Sequence, residues 1–181
     1  LNPVAESPPM SSRQPEAHPD APFRIDGLKV LPEWIDHNGH MNVAFYHLAF
    51  DQAAGLFFRW LGLDETYRRT HQASTFALET HLNYHRELHL AEAFRIDALL
   101  LSSDDRRLHF CMQMFKAGSG ELSAFYESLS MHVDMRTRRT APMPPELRER
   151  IATIARTHAR LGRPWQAGRS VGQPLPAAAR R

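Results

Sequence analysis

WIDHNGHMNVAFYHLAFDQAAGLFFRWLG, residues 34–62, decides how the rest of the chain is read. A polar turn carrying Asp36, His37, Asn38, Gly39, His40 and Asn42 runs directly into a stretch that is almost wholly apolar. From Val43 to Leu61 the clear polar positions are His47, Asp51, Gln52 and Arg59. Positions 47, 51 and 59, with Gly55 between, recur at four-residue steps and fall on one narrow stripe of a helix. A circumference that is otherwise apolar predicts a buried helix. Asn42 suits the N-cap, where a side-chain oxygen accepts from a free backbone N–H, and Gly62 suits the stop. About 19 residues at ~1.5 Å rise span ~28 Å, the width of a small domain. That length also fits a membrane span, but the polar residues inside it and the polar chain on both sides argue against one.

Outward from this helix, the bulk numbers bound the class. A length of 181 residues suits one domain with tails, and 43% hydrophobic content supports a packed core. The 22 Lys and Arg against 20 Asp and Glu give a net charge of only +2. These charges are scattered or lie near the C-terminus, so no basic stripe for nucleic acid is present. The single cysteine, Cys111, excludes an intrachain disulfide and fits a reducing cytoplasm; within a strand-like run it reads as a small buried hydrophobe. No secretory apolar region precedes residue 23. Residues 1–22, rich in Pro, Ser and Ala, read as a disordered leader with Met10 as a candidate start, although a piece of a longer chain fits as well.

Residues 23–32 predict a first strand leading into the polar turn, and 63–73 a polar connection after the helix. Four runs then alternate with period two. In 74–86, Phe76, Leu78, Leu82 and Tyr84 are expected on one face, and Thr75, Glu79, His81 and His85 on the other. The remaining runs, 93–103, 106–116 and 121–136, place Phe94/Ile96/Ala98/Leu100, Leu108/Phe110/Met112/Met114 and Phe125/Leu129/Met131/Val133 on shared faces. SSDDRR (102–107) and KAGSGE (116–121) read as the hairpin turns of an antiparallel meander. Pro144 and Pro145 can open a last helix, with Leu147, Ile151, Ile154 and Ala155 at helical spacing up to about His158. A domain over 23–160 and a flexible tail over 161–181 follow. One buried helix with an antiparallel sheet wrapped around it is an α+β arrangement. Its uncovered sheet edges predict a homodimer or homotetramer.

The order strand, polar turn, buried helix and long antiparallel strands resembles the hotdog fold. More narrowly, EWIDHNGHMNVAFYHLAFDQA (33–53), LNYHREL (82–88) and ESLSMHVDMRTRRTAPMPPE (127–146) resemble the thioesterase branch that includes 4-hydroxybenzoyl-CoA thioesterases. Within it, the unbroken WIDHNGHMNVAFY is similar to the betainyl-CoA thioesterases that accompany carnitine breakdown. The resemblance spans roughly 23–150 and departs at HLAE (89–92), where many relatives carry a Gly-Asp turn.

The resemblance implies hydrolysis of an acyl-CoA, with CoA part of the substrate and no separate cofactor. It assigns Asp36 the role of general base or nucleophile. Read without it, Asp36 is equally a turn-capping residue. Gly39 and His40 precede a helix whose N-terminal N–H groups and dipole favour a developing oxyanion. His40 and Asn42 are candidates for orienting water, carboxylate or thioester. Trp34, His37, Asn38 and Tyr46 are candidates for touching substrate. An acyl group bearing a quaternary ammonium would want aromatic faces, for which Trp34, Tyr46, Phe50 and Trp60 lie nearest in sequence. Arg86, Arg136, Arg138 and Arg139 are candidate phosphate contacts. His81, His85 and His89 recur every four residues, but on a strand that step is ~13 Å, too long for ligands of one metal ion. Two other readings compete. A hydratase of the same fold would want a D-x-N-P-x-H turn, and DHNGH is one residue shorter and lacks the proline. A non-catalytic acyl-CoA sensor would be expected to lack the acid that Asp36 supplies.

Overall fold

A computed structural model describes residues 18–173. The expected leader therefore lies almost wholly outside the described residues, as do 174–181. Strand β1 (Phe23–Lys29) leads through a short 3-10 turn to α1 (Val43–Leu61) and α2 (Glu65–His71). Strands β2 (Ala73–Tyr84), β3 (Ala93–Ser103), β4 (Arg107–Lys116), β5 (Leu122–Asp134) and the two-residue β6 (Arg139–Thr140) follow, then α3 (Pro145–His158). The sheet is antiparallel throughout, in the order β1-β3-β4-β5-β2, with β6 on β5. Its inner face curls over α1, the hotdog arrangement.

Local chemistry explains the boundaries of α1. The Asn42 side chain accepts from Ala44 N–H at 2.9 Å, and Gly62 closes the helix at φ +105°, a left-handed conformation open to glycine. Tyr46, Ala49, Phe50, Ala53, Ala54, Phe57 and Leu61 face the sheet and are buried. They meet Phe94, Ile96, Leu100, Leu108, Phe110, Met112 and Met114, the β3 and β4 faces expected from their alternation. The helix is nevertheless covered on one side only. Val43, Ala44, His47, Asp51, Gly55 and Arg59 are exposed, because one layer of sheet wraps only one face of a cylinder.

Two strands depart from simple alternation. The β2–β5 register shifts between Ala77 and Glu79, and the bulge there reverses which side chains face inward. Phe76 pairs with Met131 on the outer face, while Leu82 and Tyr84 pair with Tyr126 and Ala124 on the inner one. The expected grouping of Phe76 with Leu82 and Tyr84 is thus broken at the bulge. On β5 the side packed against α1 is Ala124 and Tyr126, the latter stacked on Phe50 at 5.2 Å. Phe125, taken with the apolar face in sequence, belongs to a smaller outer cluster with Leu99 and Cys111. Burial pushes the Cys111 thiol up to about 12, so it stays protonated and inert.

The connection 63–73 contains α2, capped by Asp64, whose carboxylate accepts from Tyr67 N–H at 2.7 Å. Helix α3 buries Leu147, Ile151, Ile154 and His158, and His158 Nδ1 accepts from Leu100 N–H at 2.9 Å. The described part of the expected tail packs on the outer face of the sheet. Gln166 is buried there, and Gly168 N–H donates to both oxygens of Glu127 at 3.0 and 2.8 Å.

Candidate functional site

The polar turn is a small closed loop. Ile35 and Met41 form an isolated antiparallel bridge, Asp36 N–H donates to His40 C=O at 3.1 Å, and Asn42 N–H donates to Trp34 C=O at 2.8 Å. Gly39, at φ +80°, lets the chain reverse within five residues. Nothing lies within 4 Å of where its Cβ would be, so the requirement is conformational and not one of space.

The half-buried Asp36 carboxylate is held from two sides. One oxygen accepts from Asn38 N–H at 2.8 Å, and the other accepts from the Asn42 side-chain amide at 3.2 Å. Because Asn42 Oδ1 is committed to Ala44 N–H, its NH₂ has to face Asp36. One amide thus caps the helix and orients the acid. The Asn38 N–H holds the Asp36 carboxyl below its usual range; partial desolvation opposes this, and Asn42 with the neighbouring His40 and His37 adds to it. The group is a carboxylate at neutral pH.

The backbone donors expected from sequence are only partly available. Gly39 N–H is consumed by Asp36 C=O at 3.0 Å and cannot meet an oxyanion, which corrects the expectation for that residue's amide. His40 N–H and Val43 N–H have no hydrogen-bond partner among the described residues. Val43 is the first residue of α1, where a helix leaves its N–H groups unpaired, and it is 58% exposed. The available signal was its position directly after the N-cap.

His40 is half-buried, with its Nδ1 3.3 Å from Met41 C=O; His37 and Asn38 stand exposed at the tip of the turn. Trp34 lies beneath the turn, buried and stacked on Phe45 at 5.7 Å. Tyr46 is buried as well, its hydroxyl accepting from Leu88 N–H at 3.0 Å and its ring edge-on to the half-exposed Tyr84. Phe50 is fully enclosed, and Trp60 stacks on Phe57 and His158 near the C-terminal end of α1, ~26 Å from its start. Neither belongs to the environment of Asp36. Of the candidate arginines, Arg86 follows the end of β2 that adjoins Tyr46; Arg136, Arg138 and Arg139 lie at the opposite end of the β2–β5 pair.

Sequence reading singled out 82–88 and 89–92 but not the contact that the segment 85–92 makes with the turn. Leu88 is fully buried and its C=O accepts from Met41 N–H at 2.8 Å, while His89 Nδ1 lies 3.5 Å from Gly39 C=O. A cavity of about 320 Å³ opens elsewhere, on the outer sheet face between Glu79, His81, His109, Glu127 and Gly168. No residue of the turn lines it, and Glu127 is already committed to His109 at 2.7 Å and to Gly168. The turn is therefore the better chemical candidate. Among the described residues, no group of three or more His, Cys, Asp or Glu is placed to hold a metal ion. No helix there is long and apolar enough to cross a membrane.

A turn that presents an oriented carboxylate beside the unpaired amide of a helix start is equipped to attack, or to direct water at, an electrophilic carbonyl. Comparison with known proteins points the same way. Residues 30–151 match the model of the thioesterase-like superfamily. A betainyl-CoA thioesterase of Pseudomonas aeruginosa is 37% identical over 145 residues, covering 80% of this chain and 91% of that protein. An L-carnitine dehydrogenase/betainyl-CoA thioesterase of Rhizobium meliloti is 35% identical over 84% of this chain, which spans only 30% of that longer protein. A Staphylococcus aureus protein solved in complex with CoA superposes with a TM-score of 0.75 at 29% identity, covering 81% of this chain and 92% of that one.

Proposed function

The chain belongs to the thioesterase-like superfamily, and from that premise we propose that it hydrolyses an acyl-CoA thioester to the free acid and CoA through Asp36. The observation that carries this is the Asp36 carboxylate tied by Asn42 to the start of α1, with Val43 N–H unpaired beside the cap. Asp36 attacks the thioester carbon or deprotonates the water that does. A carboxyl held below its usual range is ionised at neutral pH, the form that either route requires. The thioester oxygen gains negative charge as the carbon becomes tetrahedral, and the amide of Val43 with the α1 dipole meets it. In direct attack the C–S bond breaks as an acyl anhydride forms on Asp36, and water then cleaves that anhydride and restores the carboxylate. By either route the water oxygen becomes the second oxygen of the acid and one of its protons ends on the CoA thiol. Carboxylate and water suffice, without a cofactor.

His40 is proposed to orient the reacting groups from the side of the turn, and His37 and Asn38, exposed at its tip, to contact the substrate. Trp34, buried and stacked on Phe45, is proposed to contact the acyl side of the substrate. The acyl group proposed is betainyl, a carboxylic acid bearing a quaternary ammonium, on the strength of the relatives' names. The half-exposed ring of Tyr84 offers the π-face that such a cation favours. The working unit is proposed to be a homodimer or larger homo-oligomer in the cytoplasm. In support, the edge strand β2 exposes Leu78 and Tyr84 next to the uncovered side of α1, and Cys111 is a free buried thiol.

Release of free thiol from a panel of betainyl-, 4-hydroxybenzoyl- and medium-chain acyl-CoAs tests the reading, with Asp36→Asn in parallel. Wild-type turnover with betainyl-CoA preferred is expected. The variant should bind acyl-CoA and lose turnover on the order of 10²–10⁴-fold. Undiminished hydrolysis by Asp36→Asn would remove Asp36 from the reaction.

A further inference from the structure

Tyr46 lies one helical turn beyond Asn42, yet it does not face an open surface. It is 4% exposed, and its hydroxyl points away from α1 toward the segment between β2 and β3. There it accepts from Leu88 N–H at 3.0 Å, and burial keeps the phenol protonated by pushing its pKa up. The Ser123 hydroxyl, at a bulge of β5, donates to Arg86 C=O at 2.7 Å in the same segment. Leu88 then passes the constraint on, because its C=O accepts from Met41 N–H at 2.8 Å. Met41 is bonded to Asn42, and Asn42 holds the Asp36 carboxylate.

The segment is fixed at both ends. His85 and Arg86 N–H groups donate to Ser123 C=O at 2.8 and 3.1 Å. Glu92 accepts from His89 N–H at 2.9 Å and pairs with Lys116 at 3.0 Å. Leu88 is thus a firm abutment between two anchors, and the Tyr46 hydroxyl ties α1 to it. An amide with no exposure has no water to replace a lost acceptor.

We infer that Tyr46 is a positioning residue for the reaction at Asp36, its hydroxyl locking Leu88 so that Leu88 in turn fixes the backbone from Met41 to Asn42. This rests on the hydrolytic reading above. Removing the hydroxyl frees Leu88 N–H and loosens the Met41 contact, and the carboxylate loses its fixed distance to the helix start. Misplacement by ~1 Å far from the reacting atoms can cost ~10²-fold in rate.

Tyr46→Phe, which keeps the ring and its packing, is the test. The expected result is a kcat lowered about tenfold or more, a KM within about twofold of wild type, and faster amide exchange at Leu88 and Met41 than at the α1 core. Tyr67→Phe, which removes a hydroxyl bonded to His132 at the opposite end of the β2–β5 pair, should leave kcat unchanged. A Tyr46→Phe enzyme with full kcat overturns the inference, and so does a loss carried by KM alone. Should that variant melt early, amide exchange on the unaltered protein decides: Leu88 and Met41 protected together support the linkage, and free exchange at either overturns it. If the wild-type protein releases no thiol from any acyl-CoA, the functional reading fails instead, whatever the Tyr46 variant does.

Discussion

Asn42 serves two purposes with one side chain, and substitution can pull them apart. Its oxygen caps α1 through Ala44 N–H at 2.9 Å, and its NH₂ donates to Asp36 at 3.2 Å. Asn42→Ala removes both. Loss of an N-cap costs about 1 kcal/mol, which for a chain of this size lowers Tm by ~2–4 °C. Loss of the donor leaves Asp36 oriented by Asn38 N–H alone, and kcat is expected to fall about tenfold to a hundredfold. Asn42→Ser keeps an oxygen at the cap but carries no group long enough to reach the carboxylate. Tm should return to within about a degree of wild type while kcat stays low. The pH profile adds a third reading. A donor to the charged form lowers a carboxyl pKa, so its removal raises that of Asp36. The acidic limb of kcat/KM then moves to higher pH in both variants. Thermal melts and thiol-release kinetics between pH 4 and 8 measure all three quantities. A Ser variant with full kcat and an unmoved limb would refute the claim that this amide orients the acid.

Three further outcomes follow from other parts of the molecule. Burial lowers the pKa of His158, and Leu100 N–H donates to its Nδ1, so the fold favours the neutral ring; His85 is shifted the same way by burial. Their contribution is fully present above the ordinary histidine value of ~6.5 and is lost as pH falls through the lower folded value. Tm should therefore drop from pH 7.5 to 5, less steeply in His158→Gln, and a flat curve would contradict it. Gly39→Ala meets no steric clash but places a Cβ residue at φ +80°, costing roughly 1–2 kcal/mol. A melt lower by a few degrees, with reduced kcat, is expected, and an unchanged melt would mean the turn re-forms with φ below zero. Leu78, 55% exposed on the edge strand β2, should be covered in a homo-oligomer. Leu78→Arg is expected to shift the mass seen by light scattering toward the monomer, and a monomeric wild type would dispose of the proposed assembly.

What sequence alone settled is local. Asn42 before an apolar helical run and Gly62 after it mark α1 because caps act within four residues, and the helix runs Val43–Leu61 with both in place. Period two placed the β3 and β4 inner faces correctly because nothing interrupts the alternation where they meet α1. The position of Asp36 within a tight polar turn was legible for the same reason. Tertiary structure decided the rest. The bulge at Ala77/Glu79 swaps the faces of β2, and only pairing with β5 reveals it. Gly39 and Val43 both offer an amide on paper, and the fold of the turn uses the first and leaves the second free. Leu88 is 42 residues from Tyr46, and no pattern of residue types announces a contact formed when a loop closes over a helix start. Local rules fix what short-range hydrogen bonds can reach, and long-range packing chooses which of the remaining donors and acceptors meet.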